Sequence, residues 1–67
     1  MKTLGDQLPA EMKRVRDVLL PVYDATPMGH IAAAMMRTSL DQATKALAEG
    51  DVVAMMRAYE DLKGYSL

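Results

Sequence analysis

Few side chains in this sequence have the type and spacing that catalysis or metal binding requires. His30 is the single histidine and there is no cysteine, so no second imidazole or thiolate can complete a metal site around it. We interpret His30 as an exposed or capping residue. Ser39 and Ser66 have no base at a spacing that would activate them, and Glu60 and Asp61 are neighbours on the outer face of a predicted helix. We therefore expect no enzymatic activity, no metal and no cofactor.

Length and composition limit the class of protein. The chain has 67 residues with a formal net charge of −1, which predicts one domain over residues 1–67 whose single core is marginal without a disulfide, a metal or a partner chain. Near-neutral charge argues against non-specific binding of nucleic acid or an anionic membrane. No apolar tract approaches the roughly 20 residues of a membrane span, and "MKTLGDQLP" lacks the apolar centre of a secretory signal. We expect a cytoplasmic protein.

Helix-forming residues dominate and no alternating pattern predicts a strand, so the fold class is all-α. Helix signals predict three helices, over about residues 9–20, 27–49 and 52–63. Pro21 should end or kink the first helix because proline lacks an amide donor. Gly50 should end the second.

Cap residues support these boundaries. Thr26 followed by Pro27 is a good start for the second helix, and Asp51 is a good N-cap for the third. Gly64 should close the third helix. The first helix has an amphipathic stripe at Leu8, Met12, Val15, Leu19 and Val22.

The short "EGD" connection allows only an antiparallel helical hairpin between the second and third helices. The long central helix should then carry a shorter helix over each of its halves, as a thin slab in which the three helices do not share one centre. Such a slab leaves a wide apolar side uncovered. Because most soluble oligomers are twofold homodimers, we predict a homodimer.

The predicted interface, with another copy or with a different protein, consists of apolar positions on the second and third helices. These positions are Met28, Ile31, Met35, Met36, Leu40, Val52, Met55, Met56, Tyr59 and Leu62. The predicted charged rim is Arg37, Arg57, Glu60 and Asp61.

The tetrapeptide "AMMR" occurs twice, at residues 34–37 and 54–57. In the predicted hairpin the copies are out of step by about ten residues, or roughly 15 Å along the helix axis, so they are not partners. Methionine is a flexible filler of irregular cores, and methionine-rich faces also bind varied partners. The four methionines of the two copies therefore predict a core, a dimer interface or an adaptable binding surface.

Two other functions fit the pattern less well. The stretch "QATKALAEGDVVAMMRAY" has features of a DNA-binding helix-turn-helix, but its second helix would present Val53, Arg57, Glu60 and Asp61, a weakly basic set. The basic run at residues 13–16 lies beside Glu11 and Asp17, as on an ordinary solvated helix face. A small DNA-binding regulator is thus the first alternative, and a structural subunit of a larger assembly is the second.

Residues 29–65 resemble small proteins encoded by temperate phages and prophages. The likeness is carried by "IAAAMMR" and by "ALAEGDVVAMMRAYEDLKGY". Some proteins of that kind, among them quorum-sensing anti-activators of Mu-like Pseudomonas phages, are small helical dimers that bind and disable host proteins. The resemblance implies an inhibitor or adaptor of a host protein, such as a transcriptional regulator, and it transfers no catalytic residue.

Overall fold

The computed structural model describes residues 3–67, and all of the regular structure in that range is helical. The elements are α1 (Leu4–Arg14), a π-helical turn (Val15–Leu19), α2 (Leu20–Asp24), a 3₁₀ turn (Pro27–Gly29), α3 (His30–Glu49) and α4 (Val52–Lys63). Because α1, the π-helical turn and α2 follow one another without a break, they form one rod over residues 4–24, the N-terminal rod. With α3 and α4 this makes three helical units, as predicted.

The connection between α3 and α4 follows the sequence signals closely. Gly50 has a φ of 66°, in the left-handed region where a glycine avoids the clash of a Cβ atom. The Asp51 carboxylate accepts a hydrogen bond from the Ala54 amide at 3.1 Å, which caps α4 as predicted. The predicted end of α3 and both bounds of α4 are confirmed.

The start of α3 differs from the prediction. Pro27–Gly29 forms a 3₁₀ turn and the α-helix begins at His30. The Thr26 hydroxyl donates back to the Val22 carbonyl at 3.0 Å and does not cap the following helix. Gly29 is buried, and a Cβ built on it would overlap the Tyr23 carbonyl. Close packing of the turn against the end of α2 therefore sets where α3 begins.

The N-terminal rod starts five residues earlier than predicted. The Asp6 carboxylate accepts hydrogen bonds from the Thr3 amide at 3.3 Å and the Thr3 hydroxyl at 3.0 Å. Pro9 lies inside α1, where proline costs about 3 kcal/mol. Leu8 is fully buried, which contributes about 1.5–3 kcal/mol. The cap and this burial offset the cost of Pro9 and extend the helix to Leu4.

The rod continues beyond Pro21 because the wider, π-helical turn lies just before it. The Leu20 amide donates to the Val15 carbonyl, five residues back, and Pro21 lies at the start of α2, where a missing donor costs little. The extra residue in this turn rotates α2 relative to α1, so Val22 is half exposed. The prediction that Val22 continues the apolar stripe is wrong, whereas the other four stripe residues pack in or against the core.

The core is shared by all three helical units. α1 contacts α4 as well as α3, so the prediction of a thin slab is wrong. Ala33, Ala43 and Ala46 of α3 and Ala58 of α4 are buried, and the rod packs against both helices. The buried cluster is Leu8, Val15, Leu19, Met36, Ala43, Ala58 and Leu62.

Side chains of the rod hold the segment that lies beyond α4. The Arg14 guanidinium donates to the carbonyl oxygens of Leu62 and Tyr65, both at 3.0 Å. The Tyr23 hydroxyl donates to the Ser66 carbonyl. The Leu62 carbonyl also accepts from the Tyr65 amide at 3.2 Å, so backbone and side-chain donors together fix the residues that follow α4.

Candidate protein-binding surface

Half of the predicted interface residues lie on the surface. Met28 and Ile31 are 92% and 78% exposed, and Met35, Val52 and Met56 are each more than half exposed. Five large apolar side chains in contact with water are notable in a chain of 67 residues, because burying each would contribute about 1.5–3 kcal/mol. They are available for contact with another molecule.

The other half belongs to the inside of the protomer. Met36 and Leu62 are 1% and 0% exposed, so the prediction that they contact a partner is wrong. Leu40, Met55 and Tyr59 are half-buried and pack against the core. These five residues are buried or half-buried because the rod covers the side of α3 and α4 that the predicted slab left open.

The exposed residues form two groups. The first, which we call the Met28 patch, consists of Met28 in the 3₁₀ turn and of Ile31 and Met35 at the beginning of α3. Ile31 and Met35 also form one side of a shallow groove, and Asp61 and Tyr65 form the other side. Ala34 lies in this groove, where its small side chain leaves room for a larger one from another molecule.

The second group, the Val53 patch, consists of Val52, Val53 and Met56 at the beginning of α4. Val53 is 58% exposed and lines a depression with Met56, Arg57 and Glu60. Val53 is not among the predicted interface residues. Successive helical residues are about 100° apart, so Val53 lies at the edge of the apolar face that was predicted for α4.

The two patches lie at opposite ends of the α3–α4 pair. The Ser39 and Tyr65 hydroxyls are 3.0 Å apart, which places the end of α4 beside the first half of α3. The start of α4, with Val53, is then beside the end of α3. The Met28 patch and the Val53 patch are therefore separate surfaces that two different molecules could occupy together.

Predicted rim residues differ in their partners. Arg37 of α3 forms a salt bridge with Asp24 at the end of α2. Arg57, Glu60 and Asp61 are exposed on α4, on the outer surface that includes the Val53 patch. This surface therefore carries charges of both signs around its apolar residues.

The basic run of the rod is paired locally with acids. Arg14 contacts Glu11 at 2.6 Å and Arg16 contacts Asp17 at 2.9 Å. The hydrogen bond from Arg16 is the main cause that lowers the pKa of the Asp17 carboxyl. Desolvation opposes it, and the attraction of the Arg16 guanidinium and of Lys13 adds to the lowering. Mutual pairing leaves less positive charge free for phosphate groups.

The two "AMMR" copies have different surroundings. In the first, Met35 is exposed and Met36 is buried, and in the second, Met55 is half-buried and Met56 is exposed. The position that faces inwards is thus reversed between the copies. They are not equivalent pieces of one repeated site.

The residues first considered for chemistry are dispersed. His30 is exposed at the first residue of α3, Ser66 is exposed beyond α4, and Ser39 is buried beside the phenol of Tyr65. Across residues 3–67, no three His, Cys, Asp or Glu side chains are grouped closely enough to hold a metal ion.

None of the helices within the described part of the chain is both long enough and apolar enough to cross a membrane. Comparisons with protein-family models, with curated proteins and with solved structures found no match to this chain. The surface itself, with its two apolar patches, is therefore the basis for a functional proposal.

Proposed function

We propose that this chain is a non-enzymatic, dimeric helical module of the cytoplasm that acts by binding another protein, as an inhibitor or adaptor of a host regulatory protein. The observation that carries this proposal is the exposure of Met28, Ile31, Met35, Val52 and Met56 around a core that is already closed. A face that folding does not need to bury, and that still carries large apolar side chains, is typical of a binding surface.

The division of apolar side chains between core and surface supports binding of a protein over binding of DNA. Interfaces between proteins take apolar anchors within a rim of mixed charges, which is the composition around Val53. A DNA site would require several free basic groups on one surface, whereas Arg57 on α4 has Glu60 and Asp61 close to it in sequence. The antiparallel α3–α4 hairpin supplies a rigid base for such anchors.

An affinity capture from host lysate tests the proposal. The bait is the whole chain, and the captured protein is identified by mass spectrometry, purified and titrated directly. The test variant carries Val53→Asp and Met56→Asp, two exposed positions of one patch. The matched control carries Thr44→Asp and Ala48→Asp, which are exposed on α3 and outside both patches.

We expect a stoichiometric complex that the control retains. The Val53 and Met56 variant should weaken it by at least about tenfold, since truncating an interface anchor costs more than about 1 kcal/mol. Circular dichroism of both variants should match the unaltered chain. A complex that is insensitive to charges in both patches, or steep salt-dependent binding of duplex DNA by the free chain, would contradict the proposal.

A further inference from the structure

We infer that the Met28 patch binds a second copy of this chain about a twofold axis that passes beside Ile31, with α3 antiparallel to its copy. This inference rests on the proposed function and divides its surface in two: the Met28 patch makes the homodimer, and the Val53 patch remains free for the other protein. Three observations carry it.

The first observation is the spacing of the patch. Ile31 follows Met28 by three residues and precedes Met35 by four, so the Met-Ile-Met stripe is nearly symmetric about Ile31. When two such stripes pack antiparallel, Met28 of each copy is level with Met35 of the other, and the two Ile31 side chains meet at the axis. The step of four residues keeps Ile31 and Met35 on one side of α3, and Met28 precedes them in the 3₁₀ turn that leads into the helix.

The second observation is the charge around the patch. Residues 25–36 contain no Asp, Glu, Lys or Arg, so the stripe itself brings no like charges together when two copies approach. Asp61 is the one charged residue that lines the groove beside the stripe. The Val53 patch contrasts with this, because Asp51, Arg57 and Glu60 lie near it in sequence and are exposed. The mixed charges around the Val53 patch favour a different protein with complementary charges. The uncharged stripe of the Met28 patch favours pairing with a second copy of the same stripe.

The third observation is the groove beside the stripe. Ala34, Met35 and Thr38 line it on α3, and Tyr65 closes it on the other side. With the axis beside Ile31, the Met28 side chain of the second copy is level with this groove. Each copy thus offers one flexible side chain and one recess, and the exchange is reciprocal, as a twofold interface requires.

Cysteine cross-linking tests this arrangement because the chain has no cysteine of its own. Under mild oxidation Ile31→Cys should give a disulfide-linked dimer rapidly, since the two positions meet at the axis. An equal mixture of Met28→Cys and Met35→Cys should form the mixed disulfide in preference to either symmetric one. Val53→Cys is the matched control and should remain monomeric on denaturing gels over the same time.

Light scattering on a sizing column supplies the second measurement. The unaltered chain should have the mass of two copies, and Ile31→Glu, which puts two carboxylates at the axis, should reduce it to one while the helical circular dichroism is retained. A monomeric unaltered chain at high concentration would overturn the inference. Cross-linking of Val53→Cys faster than of Ile31→Cys would also overturn it, as would symmetric Met28 disulfides in excess over mixed ones.

These outcomes are separable from those of the lysate experiment. A chain that dimerises through Ile31 but captures no host protein would leave the inference intact and contradict the proposed function. A host protein whose binding is lost with Ile31→Glu but retained with Val53→Asp and Met56→Asp would show that the Met28 patch is the partner site, and would overturn this division of the surface.

Discussion

The hydroxyl of Ser39, in the middle of α3, lies 3.0 Å from the hydroxyl of Tyr65, just beyond the end of α4. Ser39 is the one buried polar residue among residues 3–67, with 5% of its surface exposed. The Tyr65 phenol therefore gives a buried hydroxyl its partner and also fixes the segment after α4 against α3. A buried polar group without such a partner would be costly.

Removing one member of this pair should cost more than removing both. We expect Tyr65→Phe to lower the free energy of unfolding by about 1–3 kcal/mol, because it leaves the Ser39 hydroxyl buried without a partner. Ser39→Ala in the Tyr65→Phe background should recover part of that loss. Urea unfolding of the four chains in a double-mutant cycle measures the coupling, and additive losses would contradict a direct bond between the two hydroxyls.

Arg14 should contribute more to stability than an ordinary surface arginine. Its guanidinium donates to the carbonyl oxygens of Leu62 and Tyr65, where the end of a helix also attracts positive charge. Since the side chain is 35% exposed, we expect Arg14→Met to cost about 1–2 kcal/mol, towards the lower end for hydrogen bonds of a charged group. Thermal and urea unfolding measure this loss.

The neighbouring Lys13 is the control for Arg14. It is exposed, so Lys13→Met should change the unfolding free energy by no more than about 0.5 kcal/mol. Equal losses for the two variants would mean that the bonds from Arg14 to the end of α4 do not stabilise the fold.

Glycine substitutions should separate a packing requirement from ordinary helix propensity. At Gly29 an added Cβ would overlap the Tyr23 backbone carbonyl, so we expect Gly29→Ala to lower the unfolding free energy by about 2 kcal/mol or more, as other severe steric changes do. At Gly5 an added Cβ meets only the Thr3 Oγ1 atom, at 3.6 Å. Gly5→Ala, in the first turn of α1, should therefore stabilise the chain by about 0.4–1 kcal/mol.

Melting temperatures of these two variants should move in opposite directions. If both moved upwards, the tight contact between the 3₁₀ turn and α2 would not exist in solution.

Local signals were sufficient to predict the α3–α4 connection. Gly50 and Asp51 act within one turn of their own positions, through a left-handed backbone and a carboxylate that accepts an amide. Such features depend on neighbouring residues alone, so the sequence predicts them well. Pro9 and Pro21 gave misleading boundaries because tertiary packing and a wider helical turn can accommodate a proline, and neither is visible in local propensity.

The candidate surface was predicted only in part because the packing of the rod was not visible in the sequence. Apolar periodicity identifies which side of a helix is buried but not by what, and α1 packs on α4 as well as α3. Ala58, a small residue that the predicted stripe omitted, is in the core, whereas Val52 is exposed. The buried residues of α4 are Ala58 and Leu62, and Val52, at the first residue of the helix, stays exposed.

The Asp17 carboxyl should titrate below the usual range of aspartate, because Arg16 donates to it at 2.9 Å and so lowers its pKa. A carboxyl whose pKa is lower in the folded than in the unfolded chain stabilises the fold above the unfolded pKa, and this contribution is lost as the pH falls through the folded pKa. We expect Arg16→Gln to move the Asp17 midpoint upwards, as followed by NMR of the side-chain carboxyl carbon. A midpoint of Asp17 that does not respond to Arg16→Gln would show that this exposed pair is not formed in solution.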